Sequence, residues 1–287
     1  MIHILQIILL GLVQGAAELL PISSSAHVIV AEKLMGLDPS APDMTFLLVM
    51  LHTGTMLAVL VYFWRSWKQH YFSSTRKFTE VAVNVVVATV ITIVFGLALQ
   101  FIIEKAFLKG TDKAELETLF SNLRLIAGAL FAAGLLILAA SGKDRHKARQ
   151  ARDADAPSAA CIGAVQGLCL PFRGFSRSGA TISTGLLLGI ERRNAEEFSF
   201  ALAVVLTPPV IARELWRLLK ANAGAAQPVH GGALLLPGLF GMLCSFVAGL
   251  GALWLLSRWL EQGRWSFFGI YCLVAAIVVF GLSAAGF

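Results

Sequence analysis

Charged side chains are scarce in this chain: 14% of its residues are Asp, Glu, Lys or Arg, against 57% that are hydrophobic. So little charge cannot clothe a water-soluble domain of 287 residues, and the balance assigns the chain to a membrane. Cysteine is equally sparse. Cys161, Cys169, Cys244 and Cys272 show no C-x-x-C spacing and fall in or beside apolar segments, where a thiol packs as a small hydrophobe. Neither a disulfide frame nor a zinc site is indicated. No Lys or Arg precedes the first apolar run, and after the small residues at 15–17 the chain continues apolar, so this run is expected to be mature structure and not a secretory signal. The net charge is +6, yet the basic residues are confined to short connections between apolar runs, the pattern that encodes membrane orientation. No nucleic-acid partner is expected.

What is present is a series of apolar runs near the roughly 20 residues that cross a bilayer. They lie at about 45–63, 81–103, 123–141, 232–256 and 265–285, with a shorter one at 198–212. Lipid leaves no partner for an unpaired backbone group, so each is expected to be a helix. The fold class is therefore all-α, a polytopic integral membrane protein with 1–287 as a single membrane domain.

An internal repeat organises the chain. Gly11, Val13, Gln14 and Gly15 match Gly163, Val165, Gln166 and Gly167 at an offset of 152, and Ser23, Ser25 and Ala26 then face Ser176, Ser178 and Gly179 at 153. Further on, Phe46, Thr55, Trp64, Arg65 and Lys68 recur as Phe198, Thr207, Trp216, Arg217 and Lys220. The copies run about 1–120 and 158–287, and each opens with two short segments split by Pro and polar residues, at 2–36 and 158–190. Interrupted segments at matching positions in two halves point to a binding site at the repeat interface. Each pair is expected to be a re-entrant helical hairpin.

Lys and Arg in the connections set the orientation. The loops 64–79 and 143–157 together with Arg192, Arg193, Arg258 and Arg264 hold 13 of them, while Lys105, Lys109, Lys113, Arg213, Arg217 and Lys220 make 6 on the other side. With the richer side in the cytoplasm, the first hairpin enters from outside and the second from inside, an inverted-topology repeat. The repeated Arg-x-x-Lys after Trp64 and Trp216 then lies on opposite faces, so one copy departs from the charge rule.

The first hairpin reads GLVQGAAELLPISSSAH. A carboxylate such as Glu18 near mid-membrane is a functional-site hypothesis by default, the alternative being a side chain that snorkels to the headgroups. Gln14 and Glu18 are i and i+4, hence on one helical face. Ser23, Ser24 and Ser25 after Pro21 read as an N-cap for the next helix or, with Glu18 and His27, as a hydroxyl, imidazole and carboxylate set suited to nucleophilic or acid–base work. The second hairpin, PFRGFSRSGATIS, adds Arg173 and Arg177 among Ser176, Ser178 and Thr181. An Arg fork among hydroxyls just before a helix N-terminus suits phosphate. Arg173 can equally face headgroups. Arg177 occupies the repeat position of Ser24, which brings the two tips face to face.

VQGAAELLPISSSAH and GFSRSGATIS, with EFSFALAV at 197–204, resemble the signature motifs of the bacterial undecaprenyl-diphosphate phosphatase family, the bacitracin-resistance proteins, over nearly the whole chain. The resemblance implies hydrolysis of undecaprenyl diphosphate to the monophosphate carrier lipid with a divalent cation, Mg2+ or Ca2+. It also implies a multi-pass protein of the bacterial inner membrane whose site faces the periplasm. By motif position it implies Glu18, Ser24, His27 and Arg177 as catalytic. Gln14, Ser23, Ser25, Arg173, Ser176, Ser178 and Thr181 are expected to bind substrate, Glu18 is the expected metal ligand, and a homodimer stays open. Ser24 is the first candidate nucleophile and His27 the second, with direct attack by water also open. Two positions depart from the family pattern: Gln14 stands where many members have Glu, leaving Glu18 the only nearby carboxylate, and Arg173 replaces a Pro. The rival reading is a polyprenyl-phosphate flippase or transporter in the same inverted-repeat cavity, which needs the clamp but no nucleophile. A second lipid-phosphatase class is disfavoured, because Ser183 stands where its S-R-x5-H pattern needs His and the chain has no Arg-Pro dipeptide.

Overall fold

A computed structural model describes residues 3–38, 41–107, 122–147, 152–223 and 231–286. Lys109, Lys113 and Arg149, used above for orientation, lie outside the described residues. The described residues form ten helices and no strand: α1 Ile4–Leu19, α2 Ser24–Leu34, α3 Pro42–His70, α4 Thr75–Phe107, α5 Leu123–Lys147, α6 Ala156–Leu168, α7 Arg177–Leu187, α8 Arg192–Ala223, α9 Gly231–Glu261 and α10 Ser266–Ala284.

Six of these, α3, α4, α5, α8, α9 and α10, are long and apolar enough to cross a bilayer, and the protein is multi-pass. The α8 span, Arg192–Trp216, extends well beyond the short apolar run at 198–212 because the helix carries its polar first turns with it. The helices α1, α2, α6 and α7 have 16, 11, 13 and 11 residues. At about 1.5 Å per residue none covers the ~30 Å of hydrocarbon.

Local chemistry sets where the short helices stop. Leu20, ahead of Pro21, is extended at φ −73° and ψ 150°, as the following proline ring demands, and α1 ends there. Between α6 and α7 the chain turns at Gly174, whose φ of +103° favours a residue without a Cβ. Asp155 caps α6 by accepting from the Ser158 N–H at 3.1 Å, and Ser176 caps α7 by accepting from the Gly179 N–H at 3.2 Å.

The two halves interlock. Helix α1 lies along α9, and a Cβ on Gly15 would stand 2.5 Å from the Ser245 carbonyl oxygen. Helix α6 lies along α4, where Thr92 donates to the Gly163 carbonyl at 3.0 Å and Gln166 donates to the Thr92 hydroxyl at 3.1 Å. The matched glycines thus allow close helix approach in both copies, each short helix packing on a long helix of the other half.

At one end of the bundle the connections after α3, before α6, after α7 and after α9 gather. Glu191 donates its N–H to the Arg152 carbonyl at 3.1 Å, Asn84 donates to the Ala154 carbonyl at 2.7 Å, and Arg192 reaches the Glu261 carbonyl at 2.8 Å. Buried Glu197 accepts from Ser66 and from Arg193 there, tying α3 to α8. The α1–α2 and α6–α7 turns lie away from this end, against each other.

Candidate active site

The tips of the two short-helix pairs touch through groups their own helices leave unpaired. The Gly174 N–H donates to Ser25 Oγ at 3.2 Å, and Ser178 Oγ donates to the Leu20 carbonyl at 3.2 Å. Ser23 sits at the first tip with φ 70° and ψ 98°, the only non-glycine residue with positive φ among the described residues. Such strain persists only where the surroundings over-determine it, and it clusters at functional sites.

Glu18 lies at this junction. Its Oε1 accepts from Arg177 at 2.8 Å, and its Oε2 accepts from Ser24 at 2.5 Å and from Gln14 at 3.3 Å. The Glu18 and Arg177 side chains are 17% and 23% exposed, so each charge has left most of its water and the opposite charge compensates. Beside them runs a narrow cleft lined by Leu19, Thr55, Met56, Val59, Ala203, Val204 and Thr207 together with His52.

Gln14, Glu18, Ser24 and Arg177 are therefore brought together. The remaining residues named from sequence sit around this group. Ser25 bridges the tips, and Ser23 Oγ lies 3.3 Å from Ser25 Oγ. Ser176, Ser178 and Thr181 are buried: Ser176 caps α7, and Thr181 bonds the Arg177 carbonyl at 2.9 Å and Ser199 Oγ at 2.5 Å. They hold the shape of the turn that carries Arg177. His27 has both ring nitrogens engaged elsewhere, Nδ1 with the Ser23 carbonyl at 2.8 Å and Nε2 with the Tyr271 hydroxyl at 2.7 Å, and it does not line the cleft. Arg173 lies near enough to Glu32 for their charges to interact, an electrostatic tie between the two short-helix pairs.

Sequence reasoning missed His52, Thr55 and Thr207 as cleft residues. Two signals were available. An ionisable residue inside a spanning segment is rare and faces a cavity or the bundle interior, and Thr55 and Thr207 are repeat-matched positions.

The donors here, Arg177, Ser24 and Gln14, converge on the Glu18 carboxylate. Residues 7–278 match the family described as Bacitracin resistance protein BacA. The chain belongs to this family. It is 61% identical over 282 residues to Undecaprenyl-diphosphatase 2 of Acinetobacter baylyi, covering 98% of both chains. It is also 34% identical to Undecaprenyl-diphosphatase of Desulforudis audaxviator, across 95% of each, and 32% identical to that of Desulfosudis oleivorans, across 94% of this chain and 95% of the relative. In this BacA-family chain the Glu18–Arg177 pair joins one motif to the other.

Proposed function

We propose that the chain hydrolyses undecaprenyl diphosphate to undecaprenyl phosphate and inorganic phosphate, recycling carrier lipid for cell-wall synthesis and giving bacitracin resistance. The observation that carries this reading is Glu18 held between Arg177 and Ser24 at a cleft inside a helical membrane protein. Arg177 presents a planar fork that matches phosphoryl oxygens, and it is already fixed in place by the α7 turn. Ser24 Oγ donates a hydrogen bond to the Glu18 carboxylate at 2.5 Å, which holds that carboxylate in place as a base. A carrier needs the clamp alone, so this hydroxyl–carboxylate pair favours hydrolysis over the flippase reading.

The architecture we infer is an inverted repeat with two re-entrant hairpins. Its support is that the connection before α6 and the one after α7 bond each other, Arg152 donating to the Leu188 carbonyl at 3.1 Å, so that hairpin enters and leaves on one side. This is the side with more Lys and Arg, which orients it to the cytoplasm of a bacterial inner membrane. The first hairpin and the cleft then belong to the periplasmic half, where diphosphate lipid accumulates.

Among the described residues no group of three or more His, Cys, Asp and Glu could hold a metal ion. One carboxylate does fit a cation that binds mainly through substrate phosphates, the usual habit of Mg2+. Glu18 would hold Mg2+ or Ca2+ together with the diphosphate, and the ion would supply charge neutralisation at the phosphoryl oxygens. Arg177 orients the terminal phosphate, Gln14 and Ser24 fix the Glu18 carboxylate, and the apolar walls Leu19, Met56 and Val59 exclude bulk water. Phosphate release from undecaprenyl diphosphate by purified protein, with and without chelator, tests the reading. Release that stops on chelation is expected, and no release at all would overturn it.

A further inference from the structure

His52 stands ten residues into the spanning helix α3, among apolar neighbours, where an imidazole is costly unless it serves a cavity. Its ring is aimed. Nδ1 lies 2.8 Å from the Leu48 carbonyl, an oxygen that can only accept, so Nδ1 is the donor of that pair. In an uncharged imidazole with its proton on Nδ1, Nε2 is a lone-pair acceptor, and it faces Glu18 Oε2 at 3.9 Å across the cleft that Arg177 also lines. The nearby hydroxyls of α3 are spent locally, Thr53 on the Val49 carbonyl at 2.8 Å and Thr55 on the His52 carbonyl at 2.9 Å.

A separation of 3.9 Å is too long for a direct hydrogen bond, but one oxygen at about 2.8 Å from each atom closes it. Both flanking atoms accept, so with the cation carried mainly on the substrate phosphates the gap suits a molecule with two O–H donors. A phosphoryl oxygen offers none, whereas water offers two. The spot also adjoins Arg177, the proposed phosphate holder, 2.8 Å from the other oxygen of the same carboxylate. His27 cannot provide such an acceptor here, since its Nε2 is engaged by Tyr271.

We propose that His52 is a positioning residue that, jointly with Glu18, holds the hydrolytic water beside the terminal phosphate. This rests on the hydrolase reading and falls with it. Glu18 Oε2 and His52 Nε2 fix the two O–H bonds, leaving a lone pair of the water oxygen free to face phosphorus.

The test compares His52→Leu with His52→Gln in the purified full-length protein, using phosphate release from undecaprenyl diphosphate. Binding of a methylene-bridged polyprenyl diphosphonate is measured alongside. Leucine removes the acceptor, and kcat is expected to fall about 100-fold, the scale of losing a positioned reactant, with KM within about twofold of the parent value. Glutamine places an amide oxygen near the former Nε2, and is expected to recover at least about tenfold of that loss. Analogue affinity should stay unchanged in both. Leucine kcat within about threefold of the parent value, equal losses for leucine and glutamine, or analogue affinity falling in step with rate would each overturn the proposal. His52→Ala serves where the leucine variant does not fold. A parent chain that releases no phosphate defeats the hydrolase reading first and is thereby told apart from a failure of His52.

Discussion

Glu18 and Arg177 are 159 residues apart in the chain and 2.8 Å apart in space. Ser24, the repeat counterpart of Arg177, bonds the other oxygen of the same carboxylate at 2.5 Å. One acid in the first half is thus gripped by matched positions of both halves. Removing either partner leaves a largely desolvated charge, which is costly in a bundle with little water.

Glu18→Gln is expected to lower phosphate release on the order of 10³-fold while the protein still inserts and binds the lipid diphosphate. The amide keeps the shape and can accept from Ser24, but it supplies no negative charge. Turnover near the parent rate would remove Glu18 from the reaction.

Arg177→Lys retains charge and loses the fork, since an ammonium is a point charge that cannot make two parallel bonds to one phosphoryl group. A fall of roughly 10²-fold in kcat/KM is expected. Unchanged kinetics would make the arginine a structural partner of Glu18 alone.

Sidedness tests the inverted repeat. With native cysteines replaced, since Cys161 is exposed, Asp38→Cys at the exit of the first hairpin is expected to react with an impermeant thiol reagent in intact cells. Gln262→Cys in the exposed α9–α10 turn should react only after lysis. Both positions are exposed, as a labelling site must be, whereas Ser158 in the first turn of α6 is 3% exposed. The reverse pattern would turn the cleft toward the cytoplasm.

Asp155 caps α6 from outside the spanning segments. The Ser158 hydroxyl, then Arg152, hold its carboxyl down at about 2 against an ordinary 3.8. A lowered folded-state value means the cap contributes fully above the ordinary value and is lost as pH falls toward 2. Asp155→Ala is expected to cost about 0.5–1 kcal/mol at neutral pH, at the lower end for caps because the site is exposed. The gap between the two melting curves should close between pH 4 and pH 2. A gap that persists there would mean the cap does not act through the ionised carboxylate.

The linear order of residues determined much of this protein. Scarce charge and runs of apolar residues dictate spanning helices, because lipid satisfies no backbone group. Pro and polar residues mark the break in each pair of short segments, and the matches of Gly11 and Gly15 with Gly163 and Gly167 reveal the repeat. Gln14, Glu18, Ser24 and Arg177 were legible as polar groups that must find partners at membrane depth, and they find one another. Only the tertiary structure decided which partners they take. His27 reads as the imidazole of the site by proximity to Glu18 in the chain, yet the turn at Ser23 directs it to Tyr271 on α10. Arg173, four residues before Arg177, lies near enough to Glu32 for their charges to interact. His52 comes to Glu18 from α3, and nothing in a local motif encodes that approach. A sequence pattern records spacing along one helix, whereas the direction of a side chain across a cleft follows from how separate helices pack.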